Sequence, residues 1–475
     1  MYQRIFSAET FAVRRRRVAE RIGAGAVAVV QGARGSGSHD RFRQSNELFY
    51  LCGVEVPHAY LLVDGGDGTA ALFLPHQDRH SVEAEGERLS ADNAERAREL
   101  TGVDRVAALE ALPAALRGAA AIWTPLSPAE GARSSWDTLR RAQEEAEADP
   151  FDGGSAREAR FAGLLRQRCP AARIEDLSPV LDEMRLVKDE AEVAALREAG
   201  AICADALSAC MRATAPGVME YQLAGVLEYH YRVRGSRGAS YHPIIAGGTN
   251  AWYGHYNAND APLADGDLVL VDCAPDHHYY TSDITRMWPV NGTYSDTQRA
   301  LYGFMIAYHK ALLAGIRPGR TDDDIHEEAA QAMAAYLERT PFADPVHERA
   351  ARSALEFPHH LSHPVGMAVH DVSHYRGTPL RPGIVFSVDP QMRIPEERLY
   401  LRVEDTVVVT EDGCENLTAA APLEMDDVEA TMREPGIIGR RDERVFGSMR
   451  DRTKVVGDIV SPASDPSDWE VLRPT

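Results

Sequence analysis

The chain has 475 residues, with 51 Lys plus Arg against 72 Asp plus Glu, a formal net charge of −21. That balance supplies no net basic face for nucleic acid or an anionic membrane. No run of about 18 apolar residues occurs, which excludes a membrane-spanning helix. The composition, 44% hydrophobic and 26% charged, is globular, and the length accommodates two or three domains.

The first residues carry Arg14 to Arg17 and no apolar h-region, so a secretory signal is not expected. The six cysteines are spread thinly and form no CxxC pair. They read as reduced, mostly buried thiols, and the expected location is the cytoplasm.

The first third reads as a small α/β unit. A charged helix is predicted over 11–22. Strands follow over 26–30, 59–63 and 69–74, the last two joined by the turn Asp64-Gly65-Gly66-Asp67-Gly68 as a hairpin. Helices are predicted over 92–100, 106–117 and 134–148, with a loop or hinge over 142–154.

The texture changes near 176–188. Asp189-Glu190 suit a helix N-terminus. Val193, Leu196, Gly200, Cys203, Leu207 and Cys210 then recur at steps of three and four as one face of a long helix, ended by Pro216-Gly217. On that face Cys203 and Cys210 are stripe residues rather than a redox pair. Further helices are expected over 218–233, 295–315 and 321–338. Thr321 reads as the N-cap of the last, and capping explains Asp322 to Asp324 better than a metal cluster does. Strands are expected over 268–272, 279–288, 384–389 and 399–409. The tail from about Glu434 is polar.

Four carboxylates fall in these strand-like segments. Asp272 closes Leu268-Val269-Leu270-Val271, Asp283 lies in Thr281-Ser282-Asp283-Ile284, Asp389 closes Val385-Phe386-Ser387-Val388, and Glu404 lies in Leu401-Arg402-Val403-Glu404. Buried unpaired carboxylates are costly, so four together require a common counter-charge. An ion-pair network with Arg286 and Arg402 is the bland explanation. The histidines favour another. His359, His360, His363 and His370 fall within twelve positions, and His255 is a fifth. Four carboxylates and one neutral imidazole balance two divalent cations. An oxygen-rich donor set with one nitrogen suits Mn²⁺, with Zn²⁺, Co²⁺ or Fe²⁺ as competitors. Such a pair generates a nucleophilic hydroxide near neutral pH and polarises a carbonyl.

These motifs resemble the pita-bread metallopeptidases, in the aminopeptidase P and prolidase branch. The likeness rests on Arg41-Phe42-Arg43-Gln44-Ser45-Asn46-Glu47-Leu48-Phe49-Tyr50-Leu51-Cys52-Gly53, on Leu186-Val187-Lys188-Asp189-Glu190-Ala191-Glu192, and on Asp272 followed eleven residues later by Asp283. The resemblance implies an α/β (α+β) fold. An amino-terminal aminopeptidase P-like domain (1–175) precedes a pita-bread catalytic domain with a curved antiparallel sheet (176–435) and an extension (436–475). It implies that Asp272 chelates one metal, that Asp283 and Glu404 bridge both, and that His363 is the sole nitrogen ligand. Asp389 stands where the family has a glutamate that ligates metal and exchanges a proton with the bridging water. His255 and His370 match outer histidines that orient the scissile carbonyl, His359 a substrate-pocket histidine, and Arg402 an arginine behind the ligands.

The implied activity is release of an N-terminal residue preceding proline from a peptide, by a homodimer or homotetramer. Three features depart from the family. Asp389-Pro390-Gln391 replaces Glu-Pro-Gly, the loop from Asp389 to Glu404 is shorter than usual, and His360 occupies a usual glycine position beside the substrate pocket. They leave open a hydrolase of altered substrate (an Xaa-Pro dipeptidase or an enzyme of small C–N bonds) and, from another class, an inactive binding module.

Overall fold

The structure, a computed structural model, describes residues 2–3, 5–35 and 41–438. The expected carboxy-terminal extension lies outside the described residues from 439 onward.

The amino-terminal part is built on a six-stranded mixed sheet. Its strands are β1 (Ala26–Gln31), β2 (Tyr60–Asp64), β3 (Ala70–Leu74), β4 (Arg105–Ala108), β5 (Ala121–Thr124) and β6 (Arg173–Asp176), in the order β4-β3-β2-β1-β5-β6. The β2–β3 hairpin forms with Leu61 opposite Leu72. Gly68, at φ +74°, takes the left-handed conformation its turn needs. β1 is a continuous apolar run because both its faces are covered. Ala28 and Val30 pack with Phe11 and Val18 of the Ala8–Ile22 helix, whereas Val27 and Val29 pack with Phe161 and Leu165 of the Arg157–Arg168 helix.

Two expectations fail here. The apolar start of the predicted 106–117 helix is β4, a strand paired in parallel with β3. The Trp136–Ala148 helix runs through half of the expected 142–154 loop. The short strands β5 and β6 carry too few residues to show a period.

The Glu190–Ala213 helix begins as read. The Asp189 side chain accepts from the Glu192 N–H at 2.9 Å and Glu192 reaches back to the Asp189 N–H at 3.0 Å. Cys203 and Cys210 lie on its buried face. Gly200 is required there, because a Cβ at this position would stand 2.3 Å from the Leu417 carbonyl oxygen. Gly200→Ala is therefore expected to cost about 1–3 kcal/mol of stability, read as a lower denaturant midpoint at unchanged slope. An unchanged midpoint would show that the helix can shift freely.

Helices Glu220–Val233, Asp296–Gly315, Asp322–Arg339 and Pro345–Leu355 cover two antiparallel arrays. One array is β7 (Ile244–Gly247), β8 (Leu268–Cys273) and β9 (Ile284–Pro289). The other has the order β10-β11-β14-β15, with β10 at Leu361–Pro364, β11 at Val385–Val388, β14 at Asp405–Val409 and β15 at Cys414–Asn416. A separate hairpin pairs β12 (Gln391–Ile394) with β13 (Leu399–Arg402). The arrays meet where Thr285 and Glu404 exchange backbone hydrogen bonds of 3.3 and 3.1 Å.

Two expected strands are thus shorter than read. The 279–288 segment becomes β9 only at Ile284, because His278 and Tyr279 have φ of +56° and +73° and close a turn. The 399–409 segment breaks at Val403-Glu404, which takes Glu404 out of the ladder and turns it toward β9.

Candidate metal centre

Every carboxylate singled out in the sequence stands at a strand end facing the junction of the two arrays. Asp272 lies near the end of β8, opposite Ile244 and Thr285. Asp283 immediately precedes β9, Asp389 follows β11, and Glu404 precedes β14. His363 enters from β10. All four acids are buried.

Their side chains converge. The Tyr241 hydroxyl is within hydrogen-bond distance of Asp272 Oδ1 and, at 2.7 Å, of Asp283 Oδ1, and can donate its proton to either. His363 Nε2 is 3.4 Å from Asp283 Oδ2. Ligand atoms of Asp283, His363 and Glu404 lie within 4.8 Å of one another and could hold a metal ion. Arg402 Nη2 contacts Asp272 Oδ2 and stands 3.6 Å from Glu404 Oε2, while its Nε is 3.7 Å from Asp389 Oδ1. Thr285 Oγ1 donates to Glu404 Oε2 at 2.8 Å and accepts from Arg402 Nε at 3.0 Å. Arg402 and Glu404 thus act on one side, as their spacing of two implied.

The ion-pair explanation accounts for one arginine only. Arg286 is held by Asp405 at 2.8 and 3.0 Å and is not spent on the four acids. Arg402 is the arginine that faces them among the described residues. Burial, followed by the charge of Asp272, drives the Asp283 carboxyl well above its usual range. Burial and Asp283 do the same to Glu404, and burial and Glu404 to Asp389. Asp389 Oδ1 has no hydrogen-bond partner among the described residues. Burial lowers the His363 pKa to about 4, which leaves a neutral imidazole able to donate a lone pair. The donor set therefore fits divalent cations: it is oxygen-rich, holds one nitrogen, and carries negative charge that the protein itself does not balance.

The outer histidines fall into two groups. His370 lies against His363, with ring centroids 4.1 Å apart and the rings tilted by 49°, and His255 lies 6.5 Å from His370. Asp137, from the first turn of the Trp136–Ala148 helix, holds His370 Nδ1 at 2.6 Å. His359 is placed differently. It is exposed, and its Nδ1 is 2.6 Å from Arg376 Nη1.

His360 points its ring into the core. It is fully buried. It packs edge-on to Tyr308 at 5.0 Å, and its Nε2 is 2.7 Å from the Ala354 carbonyl oxygen. Its Nδ1 faces the Gln391 N–H at 3.4 Å, and its own carbonyl accepts from the Asp389 N–H at 2.7 Å. The family departures at 360, 389 and 391 are therefore one unit, in which the His360 ring and backbone support the segment that carries Asp389.

Sequence reasoning passed over Tyr241, Asp137 and Thr285. Tyr241 gains its place only because β7 pairs with β8, and Asp137 only because the two parts of the chain meet. That meeting explains the 41–53 motif. Arg43 pairs with Asp276 at 2.7 Å, the Gln44 N–H donates to the Tyr279 hydroxyl at 2.8 Å, and Phe49 stacks on Tyr279 at 3.5 Å between centroids. The motif thus docks the first part onto the turn that leads to Asp283. Arg185, bonded to Glu130 at 2.6 Å and to Asp371, and Lys188, 3.0 Å from Asp371, fix the segment after His370 in the same way.

A buried carboxylate cage with one neutral imidazole, at the seam of two antiparallel arrays, defines a metal-dependent hydrolase. Residues 194–411 match the family model of metallopeptidase family M24, and residues 11–122 match that of the aminopeptidase P N-terminal domain. The chain is 32% identical over 447 residues to the Xaa-Pro aminopeptidase of Escherichia coli (strain K12), covering 90% of this chain and 98% of that one. It is 30% identical over 405 residues to mouse (Mus musculus) Xaa-Pro aminopeptidase 3, covering 82% and 76%. Among solved structures, the proline aminopeptidase P II of Yersinia pestis superposes with a TM-score of 0.74 at 30% identity, covering 90% of this chain and all of that one. The chain belongs to metallopeptidase family M24, with the amino-terminal domain of aminopeptidase P. It is a metallopeptidase, and its mixed α/β fold with antiparallel sheets is the one the resemblance implied.

Proposed function

We propose that this chain is an Xaa-Pro aminopeptidase that removes an N-terminal residue preceding proline, with two divalent ions held by Asp272, Asp283, His363, Asp389 and Glu404. The convergence of these five side chains around Arg402 and Tyr241 carries the reading. When bound, the ions supply an ionised water near neutral pH and polarise the substrate carbonyl. The chain's own groups do the rest. Asp389, whose Oδ1 has no hydrogen-bond partner among the described residues, takes the proton of the attacking water and passes it to the leaving imino nitrogen. His255 and His370 donate hydrogen bonds that strengthen as the carbonyl oxygen gains charge. Arg402 and Tyr241 fix Asp272, and Thr285 fixes Glu404.

The donor set favours Mn²⁺ among the candidate ions. The free cysteines among the described residues accord with a cytoplasmic setting. The domain limits at 175/176 and 435/436, and assembly as a homodimer or homotetramer, are part of the same proposal and rest on the resemblance.

Turnover on a peptide panel with Mn²⁺ restored to stripped protein tests the reading. Cleavage of Xaa-Pro-Xaa tripeptides and not of non-proline controls is expected. Activity confined to Xaa-Pro dipeptides would favour the dipeptidase alternative. Proline-independent cleavage would overturn both. Of the departures at 360 and 389, only Asp389 still faces the cage, because the His360 ring points into the core.

Asp137 gives a milder prediction. Asp137→Asn weakens the grip on His370 and is expected to lower kcat about tenfold, the scale of losing an outer partner of a site, with KM little changed. An unaltered kcat would free His370 from that dependence.

Metal removal has a signed pH effect. Asp283, Asp389 and Glu404 titrate higher in the folded, metal-free protein than the ~4 of an unfolded chain. The folded state then binds more protons than the unfolded one, so stability falls as pH rises above about 4. The gap in Tm between Mn²⁺-loaded and stripped protein should widen as pH rises above about 4. A constant gap would contradict this.

A further inference from the structure

A second group of metal-ligating side chains lies outside the carboxylate cage. It is formed by the tight turn before β9 and by the Glu190–Ala213 helix packed beside it. His277 and Tyr280 close the turn with reciprocal backbone hydrogen bonds of 2.9 Å. The left-handed backbone of His278, φ +56°, folds its ring back onto that of His277, so the ring centroids are 4.0 Å apart. In an extended strand, adjacent side chains would point to opposite faces. Glu198 on the helix completes the group, and ligand atoms of Glu198, His277 and His278 all lie within 4.8 Å of one another.

The decisive feature is His277. It is 2% exposed, and its Nε2 has no hydrogen-bond partner among the described residues. That atom stands 3.3 Å from Glu198 Oε2. Its other nitrogen, Nδ1, is 3.0 Å from Ser236 Oγ. With the proton on Nδ1 donated to Ser236, the Nε2 lone pair faces Glu198 and His278. A histidine ligand is commonly arranged this way, its second nitrogen bonded to an outer partner that sets the tautomer. A buried imidazole nitrogen without a hydrogen bond is otherwise costly.

We propose that Glu198, His277 and His278 form a binding site for one divalent transition-metal ion of the Zn²⁺ class. Two imidazoles and one carboxylate are a borderline-soft donor set that suits Zn²⁺ better than Mn²⁺, with a coordination position left for solvent. The ion fastens the β8–β9 turn to the helix. Tyr279 of the same turn receives Phe49, and Asp283 follows shortly after. The site therefore braces both the docking of the amino-terminal part and the approach to the cage.

The proposal is independent of the catalytic reading, and full-length protein tests both. Chelator-stripped protein is loaded with Zn²⁺ and gel-filtered, and metal per chain is counted by mass spectrometry. The forms compared are wild type, Asp283→Asn/Glu404→Gln, and each of these with His278→Gln or Glu198→Gln. The two added changes fall on exposed side chains. The cage variant is expected to retain about one Zn²⁺ per chain. Adding His278→Gln should weaken that ion by ~100-fold or more, the upper end of what even an outer partner contributes. In otherwise wild-type protein, His278→Gln and Glu198→Gln should each lower the zinc count by one and leave peptide turnover under Mn²⁺ within about twofold. A zinc count unaffected by His278→Gln and Glu198→Gln would overturn the second site, as would a cage variant that binds no Zn²⁺. A wild-type count unchanged by Asp283→Asn/Glu404→Gln would instead count against the cage.

Discussion

Glu404→Gln is expected to abolish both metal retention and turnover. Glutamine keeps the size of the side chain and can still accept from Thr285 Oγ1, which Glu404 does at 2.8 Å, so the fold should survive. What it removes is one negative charge from a group of four buried acids faced, among the described residues, by the single arginine Arg402. A metal pair contributes several kcal/mol of transition-state stabilisation, and each 1.36 kcal/mol is tenfold in rate, so a loss of about 10³-fold or more is expected. Metal analysis after gel filtration and kcat on a tripeptide substrate are the two readouts, with circular dichroism as the control for folding. A Glu404→Gln protein that still held its metals and still turned over would return the four carboxylates to the status of an ion-pair network.

Asp389→Asn should separate proton transfer from metal binding. Asp389 is buried, with its N–H donating to the His360 carbonyl oxygen at 2.7 Å and its Oδ1 without a hydrogen-bond partner among the described residues. The amide cannot take up a proton, and removing a positioned acid–base group costs about 10²–10⁴-fold in rate. The pH dependence of the residual kcat should lose the limb that Asp389 supplies. Asp389→Glu restores the acid but extends it by one methylene on a backbone set by His360. A misplacement of about 1 Å costs up to 10²-fold, so the glutamate variant should fall between wild type and Asp389→Asn. Equal activity of all three would remove Asp389 from the mechanism.

How far the sequence could be read depended on where its signals lay. The Glu190–Ala213 helix, its Asp189 cap and its buried cysteine face were legible, because a long amphipathic period and a capping pair are local. The β2–β3 hairpin was legible from its turn residues. β4 was misread because an apolar run of four residues has no distinctive period, and pairing with β3 decides its state. The breaks at 278–279 and at 403–404 were invisible for a related reason. β-branched and aromatic residues read as one strand until the tertiary structure bends the chain. Those bends matter to function, since one directs His278 back onto His277 and the other turns Glu404 toward Thr285.

The identity of the donors was written in the chain, because carboxylates closing apolar runs and histidines crowded within a dozen positions are anomalies of composition at fixed places. Arg402 and Glu404 could also be placed together, since alternation along a strand is a local rule. The partners of those donors were not. Tyr241 on Asp272 and Asp283, Asp137 on His370, and the inward turn of His360 all join residues far apart in sequence through sheet pairing or the docking of the two parts. Side-chain chemistry is a property of each residue, but the charge, burial and orientation that make it a site arise only when distant segments exclude water together.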